Sequence, residues 1–144
     1  MMVILNKSSI FVANKQHFYM KIQVSIGEVV DKYTILVIKF SKIKEVAKLD
    51  NIQKELNYIV QVLREDYSLI TDDYLTKGLL EINKELWKIE DDVRDCERSK
   101  DFGPKFIQLA RSVYKLNDKR AHIKKEINIK YGSEFVEEKS YQPY

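Results

Sequence analysis

At 144 residues, 44% hydrophobic and 33% charged, the chain is the size of one domain and can bury a core without covalent staples. Four glycines and two prolines exclude collagen-like and low-complexity chains and favour long regular elements. The net charge of +3 comes from 25 basic and 22 acidic residues interleaved along the chain, so no phosphate-tracking stripe stands out and nucleic acid is disfavoured as a partner.

The single Cys96 cannot form an internal disulfide, and His17 and His122 do not complete a zinc site with it, so no metal and no cofactor is expected. A lone thiol fits a reducing cytoplasm. The apolar runs Met1–Leu5 and Ile10–Ala13, cut by Asn6, Lys7 and Asn14, are too short for a signal segment or a membrane span, so no membrane insertion is expected.

Residues 1–19 differ from the rest. Val3-Ile4-Leu5 and Ile10-Phe11-Val12 read as strand-like stretches around the turn-prone Asn6-Lys7-Ser8-Ser9, and an isolated hairpin is marginal. Met20 then opens a different segment. Residues 1–19 are expected to be an appendage, disordered or a short hairpin, and residues 20–144 a single helical domain.

Ser25-Ile26-Gly27-Glu28 is a capping box that starts a first helix at Ile26. Val29, Tyr33, Leu36, Phe40 and Ile43 then fall on one face of it. Asp50 is the expected N-cap of a second helix with Ile52, Leu56, Ile59 and Leu63 as its stripe, antiparallel to the first. A third helix is expected to start at Thr71, with Asp72 and Asp73 suiting its positive end. Its seam of Leu75, Leu79, Ile82, Leu86, Ile89, Val93 and Cys96 holds heptad positions, which favours coiled-coil-like packing and makes Cys96 a small buried hydrophobe.

Asp101-Phe102-Gly103-Pro104 breaks the pattern, with Pro104 in the first turn of a fourth helix. That helix carries Phe106, Leu109, Val113, Leu116, Arg120, Ile123 and Ile127 as its seam and stops at Gly132. The expected fold is therefore all-α, an antiparallel bundle of about four helices in two hairpins from Ser25 to about Lys130. The tail from Ser133 to Tyr144 is expected to be ordered but irregular, docking through Phe135, Val136 and Tyr141.

The densest charge run is Glu90 to Arg98. It reads either as a solvated face laced by Glu90–Arg94, Asp91–Arg94 and Asp95–Arg98 pairs or as a carboxylate cluster for a divalent cation. Spacing argues against the metal, because the fourth helix offers only Asp118 and Glu126 as further carboxylates. Arg120 is the one arginine on an apolar seam, and a buried guanidinium needs an anion. Folding the fourth helix back on the third puts Arg120 opposite Ile82, Asn83 and Glu85, and Glu85 is the expected partner in a structural pair. The functional alternative groups Arg94, Arg111, Asn117, Asp118 and Arg120, with Asp91 and Asp92, around an anionic ligand. His122 lacks a placed catalytic partner.

Ser25 to Leu36, Leu86 to Glu97, Asp101-Phe102-Gly103, Ala110 to Tyr114, Asn117 to Ala121 and Val136 to Tyr141 together resemble a bacterial domain-of-unknown-function family over about Met20 to Tyr141. The family's motif residues fall here on Asp31, Lys32, Glu90, Asp91, Asp92, Arg94, Asp95, Arg111, Asn117, Asp118, Arg120, Glu137 and Glu138. The resemblance implies no activity; it implies only an association with glycosyltransferase and surface-polysaccharide systems.

Two functions follow. Every strong signal is a packing signal, so the leading expectation is a non-catalytic helical module that binds a protein partner or forms a homo-oligomer. The alternative is an enzyme or sensor of an anionic metabolite, a nucleotide sugar or phosphate, held by the Arg/Asp/Asn cluster.

Overall fold

In the computed structural model, which describes residues 21–67 and 70–144, Ser25 caps the first helix, α1 (Ile26–Lys42), accepting from the Glu28 amide at 3.3 Å. Only half of the expected capping box forms, because the Glu28 carboxylate reaches across to Lys124. The expectation for residues 1–19 lies outside the described residues.

The second helix, α2 (Val46–Asp66), starts earlier than Asp50 suggests. Ala47, Lys48 and Leu49 are good helix formers, so the helix propagates back to the short link after α1. Its N-cap, Glu45, makes no cap bond and instead binds Lys48 at 2.8 Å. A single 3₁₀ turn, Ile70–Asp72, precedes α3 (Tyr74–Ser99). The cap of α3 is Asp73, not Thr71: its carboxylate accepts from the Leu75 amide at 2.8 Å.

Lys100, with a left-handed φ of 56°, closes α3, and α4 (Pro104–Lys130) begins on Pro104 as expected. Gly132 takes φ 66° just past the end of α4, which lets the Ser133 amide reach the Asn128 carbonyl at 2.8 Å.

The seams of α3 and α4 meet as the heptads require. Leu75, Leu79, Leu86, Ile89 and Cys96 are buried on α3, as are Leu116 and Ile127 on α4. The first helix follows its expected stripe except at Phe40: Leu36 is buried and Val29, Tyr33 and Ile43 pack against the larger core. It packs against α2, α3 and α4 at once, so Ile26, Val30, Leu36 and Ile38 are buried together with the polar Asp31 and Thr34, while Phe40 stays 44% exposed.

Two cores result. The larger draws on all four helices. The smaller, around Leu86, Ile89 and Leu116, draws on α3 and α4 alone, because these helices have 26 and 27 residues against 17 in α1. At 1.5 Å per residue the second hairpin outruns the first helix by roughly 14 Å.

The tail is irregular, as expected, but its anchors differ. Phe135, Val136 and Tyr141 remain exposed, and polar contacts to α4 hold residues 133–144 instead. Among the described residues no helix is long and apolar enough to cross a membrane.

Candidate functional site

The one arginine on the α4 seam organises the bundle's polar centre. Arg120 Nε donates to Asp31 Oδ1 at 2.9 Å and its Nη2 to Asp31 Oδ2, a bidentate fork. From α3, Asn83 Nδ2 donates to Asp31 Oδ1 and to Thr34 Oγ1, both at 2.8 Å. The Thr34 hydroxyl donates back to the Asp31 carbonyl at 2.8 Å. Three helices thus close on one carboxylate whose side chain is 3% exposed.

The anion opposite Arg120 is therefore Asp31, not Glu85. Glu85 is exposed, because it precedes seam residue Leu86 and turns outward, whereas α1 lies over the hairpin and lowers Asp31 onto Arg120. The hydrogen bond to Asp31 raises the guanidinium pKa against the opposing effect of burial, so Arg120 stays charged.

Lys124, one turn further along α4 and only 12% exposed in its side chain, sits among Glu28, Glu137 at 3.5 Å and Asp31 at 4.0 Å. Its charge holds the Glu137 carboxyl below the usual range, against a smaller effect of burial.

Two clefts flank Arg120. One, of about 630 Å³, lies between α4 and the tail and is lined by Tyr114, Asn117, Asp118, Arg120, Lys124, Glu137 and Tyr144, among others. The other, of about 540 Å³, opens between α1 and α3 and is lined by Trp87, Glu90, Asp91, Arg94, Asn117 and Arg120, among others.

Of the residues singled out from the sequence, Asn117 and Arg120 border both clefts, Asp118 the first, and Asp91 and Arg94 the second. Arg111 and Asp92 line neither. The cations are committed: Arg120 to Asp31, Lys124 to Glu28 and Glu137, Arg94 to Glu90 at 3.5 Å. Arg120 Nη1 faces a neutral acceptor, the Asn117 oxygen, at 3.5 Å.

Along the charge run, Glu90–Arg94 and Asp95–Arg98 pair as expected, and Lys88–Asp92 and Lys100–Glu97 join them. The Asp91–Arg94 pair does not form, since Arg94 turns to the Glu90 carboxylate and carbonyl. These pairs are solvated. Among the described residues no three His, Cys, Asp or Glu side chains converge as metal ligands. His122 is exposed, with Glu126 3.8 Å away.

Sequence patterning placed Asn83 opposite Arg120 without giving it a role, missed Thr34 and Lys124, which read as ordinary polar positions beside the seams, and placed Asp31 only through the family resemblance. It also missed a second polar knot, where the Asp73 carboxylate accepts from the Tyr131 hydroxyl and from Lys130.

The model of a family of unknown function (DUF6165) matches residues 20–144. The chain belongs to that family. The matched span holds all four helices, the Asp31–Arg120 centre and the tail, and leaves out residues 1–19. No curated protein and no solved structure matches the chain.

Proposed function

We propose that the protein is a non-catalytic helical module that binds a protein partner or a second copy through the outer end of the α3–α4 hairpin. One observation carries this reading. Past the cover of the other helices the seam residues Val93, Phe106, Leu109 and Val113 are only half-buried, and beside them Phe102 and Ile107 are 49% and 56% exposed. An apolar seam is stable when a further layer covers it, and contiguous exposed apolar surface marks interaction sites. The buried lone thiol Cys96 supports a reducing cytoplasm as the compartment.

A second reading rests on the clefts beside Arg120, where Arg120 Nη1, Asn117 and Arg94 would bind an anionic metabolite. The ion pairs already made there weigh against it, since each would have to be loosened.

Sedimentation of the full chain, beside a thermal-shift screen with sugar nucleotides, phosphate and divalent metals, decides between them. Where the partner is a second copy, the module reading expects concentration-dependent association that Ile107→Glu abolishes without lowering the melting temperature of the dissociated chain, and in either case no ligand-induced shift. A ligand shift at millimolar concentration that Arg120→Met removes would overturn it in favour of the metabolite.

A further inference from the structure

The α1–α2 side of the bundle carries apolar surface that the four helices leave uncovered. Val29 of α1, Ile59 and Val62 of α2 and the non-helical residues 21–24 line a groove of about 880 Å³ there. Ile22, Val24 and Tyr58 line it while remaining 74%, 44% and 65% exposed. No residue of the α3–α4 seam belongs to this groove, so it is separate from the hairpin end.

Apolar side chains grouped in an open groove mark a surface that another segment covers. The charges at its rim are already matched, Glu55 to Lys32 at 2.8 Å and Glu28 to Lys124 at 2.5 Å. An occupant therefore has to supply apolar groups rather than charge. Chain connectivity names one. Residues 1–20 join the described chain at Lys21, itself a lining residue, and twelve of those twenty are apolar or aromatic, with no carboxylate among them.

The reach fits as well. From Glu55 to Val62 the groove follows about 10 Å of α2. Ile10-Phe11-Val12 stand nine to eleven residues before Lys21, a separation that covers about 15 Å as a helix and about 30 Å as extended chain. A tethered segment also acts at about millimolar effective concentration, which places it ahead of any free partner of equal fit.

We infer that residues 1–20 dock back into this groove, with Ile10-Phe11-Val12 covering Ile22, Tyr58 and Val62, and close the α1–α2 side of the bundle as an intramolecular cover. The segment is then part of the folded unit, although the family match begins only at residue 20. The inference is independent of the α3–α4 end and of the partner proposed for it.

The test uses the full chain throughout. Amide NMR shifts over residues 22–32 and 55–62 are compared in the wild type, in Ile10→Asp/Phe11→Asp and in Tyr58→Glu, with the helix signal followed to separate undocking from unfolding. The segment variant should move those amides, leave those of residues 104–117 in place and lower the melting temperature by about 3 °C or more, although both substitutions lie outside the four helices. Tyr58→Glu should lower it to a similar extent. The combined variant should fall no further than the worse of the two, because one docked contact can be lost only once. Groove amides that stay in place in the segment variant, or losses that simply add, would overturn the docking. Groove amides that move when the wild type is diluted would overturn it in favour of a second copy.

Discussion

Gly27 and Asn128 hold α1 against α4 at backbone contact: the Gly27 amide donates to the Asn128 Oδ1 at 2.6 Å. A Cβ on Gly27 would stand 2.6 Å from the Lys124 carbonyl oxygen and 3.0 Å from that Asn128 oxygen. In an open helix, alanine would be favoured over glycine by about 1 kcal/mol. Here the sign reverses, because the obstructing atom belongs to a helix backbone. Gly27→Ala should lower unfolding free energy by ~2 kcal/mol or more, read from denaturant midpoints; a neutral or stabilised protein would show that the helices are not in contact there.

The Asp31–Arg120 pair gives the second expectation. Arg120→Met alone leaves Asp31 buried without its counter-charge and should cost ~3 kcal/mol or more. Adding Asp31→Asn should return a large part of that loss, so the double-mutant cycle reports strong coupling. Glu85→Gln should be close to silent, alone or combined. Additive losses at Asp31 and Arg120 would mean that the two side chains do not share an environment.

Stability should also fall at both ends of the pH scale through the Asp73–Tyr131 knot. Burial, then the bond to Asp73, pushes the Tyr131 phenol up to about 12. A raised folded pKa stabilises below the unfolded value of about 10 and is lost as pH climbs from there. Asp73 goes the other way: burial works to raise its pKa, but the bonds from Lys130, Tyr131 and the Leu75 amide together hold it below the usual carboxylate range. Its contribution is present above the unfolded pKa of about 3.9 and disappears as acid protonates it. Urea midpoints followed across pH should show both limbs, and Tyr131→Phe should flatten the alkaline one. An alkaline limb identical in wild type and variant would exclude the phenol as its cause.

The two ends of the hairpin should respond differently to substitution. Leu86 and Leu116 face one another in the smaller core, 9% and 6% exposed, so Leu86→Ala should cost about 2–5 kcal/mol. Ile107, 56% exposed, should accept a charge with a change of about 0.5 kcal/mol or less in the dissociated chain. A large loss at Ile107 under dilute conditions would reveal that the hairpin end is already covered within the monomer.

These outcomes separate what patterning can and cannot read. The seams of α3 and α4 were legible because each helix packs mainly on the other, and one partner produces one stripe. The first helix was legible only in part: Leu36 is buried and Val29, Tyr33 and Ile43 pack against the core as its stripe requires, but its three neighbours bury a second side as well, where Asp31 and Thr34 look like any polar face. Arg120 announced its need for an anion through its place in the seam, but its partner lies far earlier in the chain, and no periodicity carries register over that distance. Asp50 offered cap chemistry that the chain did not use, since the helix had no reason to stop before the link. In the tail, order was foreseeable from its composition; that glutamates rather than Phe135 and Val136 provide the grip depends on where Lys124 and Lys125 emerge.

The carboxylate at the centre is approached by α1, α3 and α4, each contributing a group that the others cannot replace. Dividing the chain in the loop between α2 and α3 would therefore give two fragments with complementary debts: one with a naked Asp31, the other with Asn83 and Arg120 lacking their acceptor. Neither half has a satisfactory folded state of its own, and mixing them should restore the helix signal of the whole. The bundle is therefore expected to fold as one unit, and two halves that each kept a full helix signal without mixing would overturn that expectation.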